Sequence, residues 1–274
     1  MARRLTEDSI LRKLRRAAPL IGDDCAVVRP RPGEDWLFTT DFCIEGVHFP
    51  LDWTGEQVGH QALGRSLSDI AAMGGTPRFC LVSLALAPWT GPKWIDAFYR
   101  GLLKLANETG TQLAGGDLSH SAKLTCDVMA CGSVKHGKAL RRSGAQVGDA
   151  IYISGPLGGW THKKAIVPRL DVGRKLLGKA HACMDLSDGL ALDLHRLCRE
   201  SQVAAELDAV PLLPGATLHQ ALHDGEDYEL LYTVPPAIRV PGIRIGTVTA
   251  GQAGSVKLAG KRLRPEGYDH VHRT

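Results

Sequence analysis

Aspartates recur in short turns of small residues along this chain: Gly22-Asp23-Asp24, Thr39-Thr40-Asp41, Leu67-Ser68-Asp69, Gly115-Gly116-Asp117 and Asp185-Leu186-Ser187-Asp188-Gly189. Most follow a strand-like run or open a helix-like one, and their spacing is so wide that only folding could bring them together. Several carboxylates cannot share a buried site unpaired, because like charges repel and each loses its hydration. Hard divalent cations answer that problem. Magnesium takes carboxylate and hydroxyl oxygens and keeps coordination positions for phosphate oxygens. Glycines beside the aspartates let the backbone approach a phosphate closely, and successive N–H groups form an anion nest. Taken singly, each motif also reads as a turn or a helix cap, where Asp and Gly are common. Asp69, one helical turn after Arg65, reads equally as its ion-pair partner. The number of such motifs, and their company of Ser and Thr, favours a phosphate-handling site.

The elements that must position these turns are read from periodicity. Thr6 reads as the cap of an N-terminal helix, with Glu7 and Asp8 in its first turn, Leu5 stapled to Ile10, and Arg12, Lys13, Arg15 and Arg16 toward its end. Strand-like runs follow at 25–28 and 36–40. Residues 54–73 predict a helix: Thr54 and Gln57 make a capping box, apolar residues recur at Val58, Ala62 and Ile70, and Gly74-Gly75 stops it. A buried strand is expected at 78–87, a second long helix between Gly91-Pro92 and Gly110, a strand reaching Ala114, and an alternating strand through Leu124, Cys126, Val128 and Ala130. Residues 137–148 lack periodicity and place a domain boundary that divides 1–140 from 141–274. Beyond it come a strand at 150–154, an irregular stretch at 155–180, a helix at 190–198 with Leu190, Leu194 and Leu197 on one face, and strands at 228–234, 243–248 and 255–258. Strands alternate with long helices in both halves, so the class is α/β or α+β.

Composition narrows the partners. The 274 residues suffice for one large or two modest domains, and a net charge of +4 is too small for a dedicated nucleic-acid binder. The cysteines Cys25, Cys43, Cys80, Cys126, Cys131, Cys183 and Cys198 are odd in number and form no C-x-x-C pair. They read as buried free thiols in a reducing compartment rather than a zinc site or a disulfide frame. No apolar run approaches the roughly 20 residues of a membrane span, and the basic N-terminus lacks the apolar core of a signal peptide. A cytoplasmic protein with neither membrane nor nucleic-acid partner is expected. The segment from Gly173 to Ala180 imitates a P-loop, but Ala180 stands where Ser or Thr should hold magnesium, and Pro168-Arg169-Leu170 blocks a preceding strand. There is no G-x-S-x-G elbow and no H-E-x-x-H helix.

Seven segments in order carry a resemblance: IGDDCAVV at 21–28, TTDFCIEGVHF at 39–49, SLSDIAAMGGTP at 66–77, LAGGDLSH at 113–120, RRSGAQVGDAIYISGPLG at 141–158, MDLSDGLALDL at 184–194 and GEDYELLYTV at 225–234. Together the chain resembles the thiamine-monophosphate kinase family of the aminoimidazole ribonucleotide synthetase-like superfamily. The G-V-H at 46–48 and the G-E-D-Y-E-L at 225–230 point to that family over its relatives. The resemblance implies a two-domain α/β fold in which the N-terminal domains of a homodimer pair into a β-barrel and the C-terminal α/β domain closes the active-site cleft. It implies magnesium ions held by Asp24, Thr39, Thr40, Asp41, Asp69, Asp117, Asp185 and Asp188. ATP would meet Gly116, Asp117, Arg142 and Ser187, and thiamine monophosphate would meet His48 and Glu226. Asp41, Asp117, Arg142 and Asp188 would carry the chemistry. On its own, His48 reads as readily as a hydrogen-bonded turn residue near Pro50. The chain departs from the family by looking shortened after Gly159 and after Val234. Pro265-Glu266 also stands where the family often has an aromatic residue against the substrate, just before Gly267-Tyr268-Asp269-His270.

The implied reaction joins two anions. A phosphate monoester has a second pKa near 6, so the acceptor is already largely a dianion at pH 7 and needs no general base. Direct in-line transfer then depends on positioning and charge neutralisation, with Arg142 adding a cationic fork. The competing readings are another ATP-dependent enzyme of the superfamily and a non-catalytic nucleotide-binding regulatory module.

Overall fold

The computed structural model describes residue 23 and residues 25–159 and 165–268. The helix expected after Thr6, and Asp24, lie outside the described residues. The first sheet has five strands, β1 (Ala26–Arg31), β2 (Glu34–Ile44), β3 (Thr76–Leu86), β4 (Gln112–His120) and β5 (Thr125–Lys135), in the order β1-β2-β5-β3-β4. All its pairings are antiparallel except β3 with β4. Its end strands β1 and β4 do not meet, so a single chain forms an open sheet rather than a barrel.

One face of this sheet is covered by two helices that interrupt the strand order, α1 (Gly55–Ala72) between β2 and β3 and α2 (Pro92–Thr109) between β3 and β4. The expected capping box is formed at Thr54 and Gln57, and Gly110 ends α2 in the left-handed region at φ 71°. Replacing Thr54 by Ala is expected to lower stability by about 1 kcal/mol, read as a fall of about 2–4 °C in Tm. An unchanged Tm would mean that α1 is held by packing alone. The two helices cross closely. A Cβ on Gly59 would stand 1.9 Å from the Phe98 carbonyl oxygen, and one on Gly101 would stand 1.9 Å from that of Glu56.

The second sheet runs β12-β11-β8-β10-β6-β9-β7. Its strands are β6 (Ala150–Ile153), β7 (Ala182–Asp185), β8 (Ala204–Leu207), β9 (Leu230–Val234), β10 (Ile243–Thr249), β11 (Val256–Leu258) and β12 (Lys261–Arg262). Three helices accompany it, α3 (Leu170–Leu176), α4 (Leu190–Glu200) and α5 (Leu218–His223). The mixed α/β class is as expected, and Leu190, Leu194 and Leu197 are buried together. Several short elements differ from the sequence reading. The stretch expected to be irregular contains α3, and β7, β8, β12 and α5 have at most six residues, too few to show a period. The strand expected at 228–234 begins only at Leu230, because Tyr228 is left-handed at φ 49°.

The P-loop lookalike serves packing. Gly173 lies within α3, where a Cβ would stand 2.0 Å from the Ala71 carbonyl oxygen of α1. The larger hydrophobic core follows that contact, joining Leu63, Leu67 and Ile70 of α1 to Leu170, Leu176, Cys183 and Tyr232. All seven cysteines are buried, and none is in a disulfide. Among the described residues, no helix is long and apolar enough to cross a membrane.

Candidate active site

Alternation along β2 sorts the Thr39-Thr40-Asp41 motif. Thr39 and Asp41 lie on the helix side with the buried Leu37 and Cys43, and Thr40 lies on the open side with the exposed Phe42. The Thr39 hydroxyl donates to Oδ2 of Asp69 on α1. Asp41 Oδ2 is buried with no hydrogen-bond partner among the described residues. Burial pushes the Asp41 carboxyl up, Arg65 opposes the shift, and Glu226 adds to it. Ser68 Oγ donates to Asp185 Oδ2 at 2.6 Å, which ties α1 to the end of β7. Arg65 of α1 is buried and reaches the far end of the chain, where its Nη1 donates to Glu226 Oε1 and its guanidinium carbon lies 5.4 Å from the Tyr228 ring centroid.

The two loops that complete this side are laced through their backbones. The Glu226 N–H donates to the Ser187 carbonyl at 2.7 Å, the Tyr228 N–H to Leu186 at 2.8 Å, and the Leu186 N–H to Glu229 at 2.8 Å. Gly225, at φ 71°, leaves no room for a side chain, since a Cβ would stand 2.4 Å from the Ser187 carbonyl oxygen. Glu226 and Tyr228 are left-handed at φ 60° and 49°, uncommon for residues with a side chain and concentrated at functional sites. Asp188 Oδ2 accepts from Arg196 Nη1, and the Asp188 N–H donates to Asp193 Oδ2 at 3.0 Å. Burial, helped by the Asp188 charge, pushes the Asp193 carboxyl up to about 7, against Arg196 and Arg142. The Arg142 N–H and the Arg141 guanidinium both donate to Asp23, at 3.0 and 2.6 Å.

The remaining candidates stand apart from these. Thr40 Oγ1 donates to Asp127 Oδ1 on β5, and Asp127 and Asp117 both register against Ser83, on the sheet face away from the helices. Gly116 sits where β4 pairs so closely with β3 that a Cβ would stand 1.9 Å from the Val82 carbonyl oxygen. Thus Thr39, Asp41, Asp69 and Asp185 gather around α1, Ser187 and Asp188 lie on the adjoining loop, Thr40 and Asp117 occupy the opposite face of the first sheet, and Gly116 is in register with Val82 of the helix side.

His48 and Glu226 line one cavity of about 510 Å³, together with Val47, His223, Gly267 and Tyr268. His48 Nδ1 accepts the Ile44 N–H at 3.0 Å, so the turn hydrogen bond and the place on the cavity wall coexist. Glu226 belongs both to this cavity and to the cluster around Arg65 and Asp41. Sequence reading missed Tyr228, Asp127 and Arg196, and assigned Arg65 only a helical neighbour. Asp127 alone had a visible signal, as the polar position between the buried Cys126 and Val128. Tyr268 supplies an aromatic ring to the cavity one residue after Gly267.

Magnesium suits this donor set, although among the described residues no three His, Cys, Asp or Glu side chains form a ready-made cage. Asp41 brings a buried carboxylate oxygen with no partner, and Thr39 and Asp69 add hard oxygens beside it. Magnesium commonly binds through one or two carboxylates and completes its shell with water and substrate phosphates.

Residues 22–134 match the family described as AIR synthase related protein, N-terminal domain. A thiamine-monophosphate kinase of Haemophilus influenzae is 35% identical over 248 residues, covering 79% of this chain and 75% of that protein. One of Rhodopirellula baltica is 32% identical over 297 residues, covering 94% and 93%. The solved structure of AaThiL complexed with AMPPCP and TMP matches with a TM-score of 0.90 at 28% identity, covering 98% of this chain and 99% of that one. The chain belongs to the thiamine-monophosphate kinase family.

Proposed function

We propose that this chain transfers the γ-phosphoryl group of ATP to thiamine monophosphate, giving thiamine diphosphate. The observation that carries this reading is the shared cavity of His48 and Glu226, joined through Glu226 to the Asp41 cluster. The cavity takes the acceptor, and Tyr268 offers a ring face to it. Arg142, Ser187 and Gly116 hold ATP. Thr39, Asp41, Asp69, Asp185 and Asp188 hold magnesium, with Asp24 as a further ligand, while Thr40 and Asp117 on the opposite sheet face stand outside this set. When bound, the metal neutralises phosphate charge. The acceptor dianion attacks in line without a general base and without a phosphoenzyme.

Residues 1–140 and 141–274 act as two domains, the second closing the cleft. Two copies pair through the open face of the first sheet, where Phe42 and Leu81 are 58% and 37% exposed and Trp36 packs against Phe38 and Phe79. An apolar sheet face of this kind favours a partner sheet, and pairing of two such sheets closes a barrel. The protein acts in the cytoplasm. Release of ADP that depends on thiamine monophosphate supports the reading. ADP release without that acceptor, or an acid-stable phosphoprotein trapped after incubation with labelled ATP, contradicts it and favours another ATP-dependent reaction.

A further inference from the structure

Arg65 has no part in the reaction as set out so far, yet it lies at the centre of the site. Its side chain is 7% exposed, and its Nε is buried with no hydrogen-bond partner among the described residues. Its Nη1 donates to Glu226 Oε1, and the Tyr228 hydroxyl donates to the same oxygen at 3.2 Å. Two donors on one oxygen fix the carboxylate plane and leave Oε2 for whatever enters the cavity. The backbone adds to this, since Glu226 and Tyr228 both hold left-handed conformations that the 185–188 loop maintains through hydrogen bonds. A buried guanidinium paired with a carboxylate cannot be replaced alone by an apolar side chain without leaving that carboxylate uncompensated. This one connects α1 to the cavity wall.

We propose that Arg65 and Tyr228 are positioning residues for the phosphoryl acceptor. They hold Glu226 so that its Oε2 meets an N–H-bearing or cationic edge of that molecule. The inference rests on the reading that Glu226 contacts the acceptor. A carboxylate already fixed loses little side-chain freedom on binding, whereas a loose one must be ordered each time. Release of the anchor therefore weakens the acceptor and spares ATP.

The test measures KM for thiamine monophosphate and for ATP, with Tm alongside, in Tyr228→Phe, Arg65→Met, Arg65→Lys and Glu226→Gln, and in the Tyr228→Phe and Arg65→Met changes combined with Glu226→Gln. Tyr228→Phe is expected to raise the acceptor KM about fivefold and Arg65→Met about thirtyfold, the scale of a neutral and a charged hydrogen bond. The ATP KM stays within about twofold in Tyr228→Phe, Arg65→Lys recovers part of the Arg65→Met loss, and in the Glu226→Gln background each change adds less than about twofold because the residues act as one unit. Equal rises in both KM values, or full additivity in the Glu226→Gln background, overturn the proposal. If Arg65→Met does not fold, Tyr228→Phe, which removes a single oxygen, decides the matter. Should Glu226→Gln itself leave the acceptor KM unchanged, the acceptor-contact reading fails and the proposal with it. The two failures are distinguishable, because only the second spares the Glu226→Gln protein.

Discussion

Asp41→Asn is expected to lower the rate of phosphoryl transfer by about a thousandfold, the scale of losing one preorganised charge partner in an enclosed site. Asp41 Oδ2 is buried with no hydrogen-bond partner among the described residues, and burial pushes the carboxyl up. An anion kept in that state disfavours the folded chain unless a cation joins it. Asn keeps the shape and removes the charge, so Tm should stay at or above that of the unchanged protein while transfer is lost. That split separates a functional aspartate from a structural one. A variant with retained activity and a lower Tm would show that Asp41 serves the fold.

The second large effect concerns stability. Gly101→Ala in α2 is expected to cost about 3 kcal/mol, seen as a Tm fall of about 6–12 °C. In an exposed helix interior the same change would add about 1 kcal/mol instead. The sign reverses because the new methyl would stand 1.9 Å from a carbonyl oxygen of α1, an atom that cannot move without the helix. Since α1 carries Arg65, Ser68 and Asp69, the acceptor KM should rise together with the loss of stability. A Tm at or above that of the unchanged protein would mean that the helix crossing has slack.

These residues differ in how far sequence alone disclosed them. The ends of α1 and α2 were legible because capping is local: Thr54 with Gln57, and Gly91, Pro92 and Gly110, act within one turn. The alternation in β5 is legible for the same reason, and the same alternation in β2 separates Thr40 from Thr39 and Asp41. Four-residue strands such as β7 and β8 carry too few positions for a period to emerge. Convergence was not legible at all. Ser68 meets Asp185, and Arg65 meets Glu226, across more than a hundred residues, and nothing in the spacing of either motif announces it. Tyr228 was read into a strand because its own sequence is strand-like. The hydrogen bond from its N–H to Leu186 sets its left-handed backbone, and that partner belongs to another element. His48 and Glu226 came from the resemblance rather than from residue patterns, and the fold places both on one cavity wall.

The most direct measurement is chromatographic. The purified protein is incubated with ATP, magnesium and either thiamine monophosphate or free thiamine, and thiamine diphosphate is followed over time, with Asp41→Asn in parallel. Thiamine diphosphate formed from the monophosphate, none formed from free thiamine, and none formed by Asp41→Asn is the predicted result. ATP binding with no thiamine diphosphate from either acceptor would contradict the assignment and turn attention to the other ATP-dependent chemistries that this fold can host.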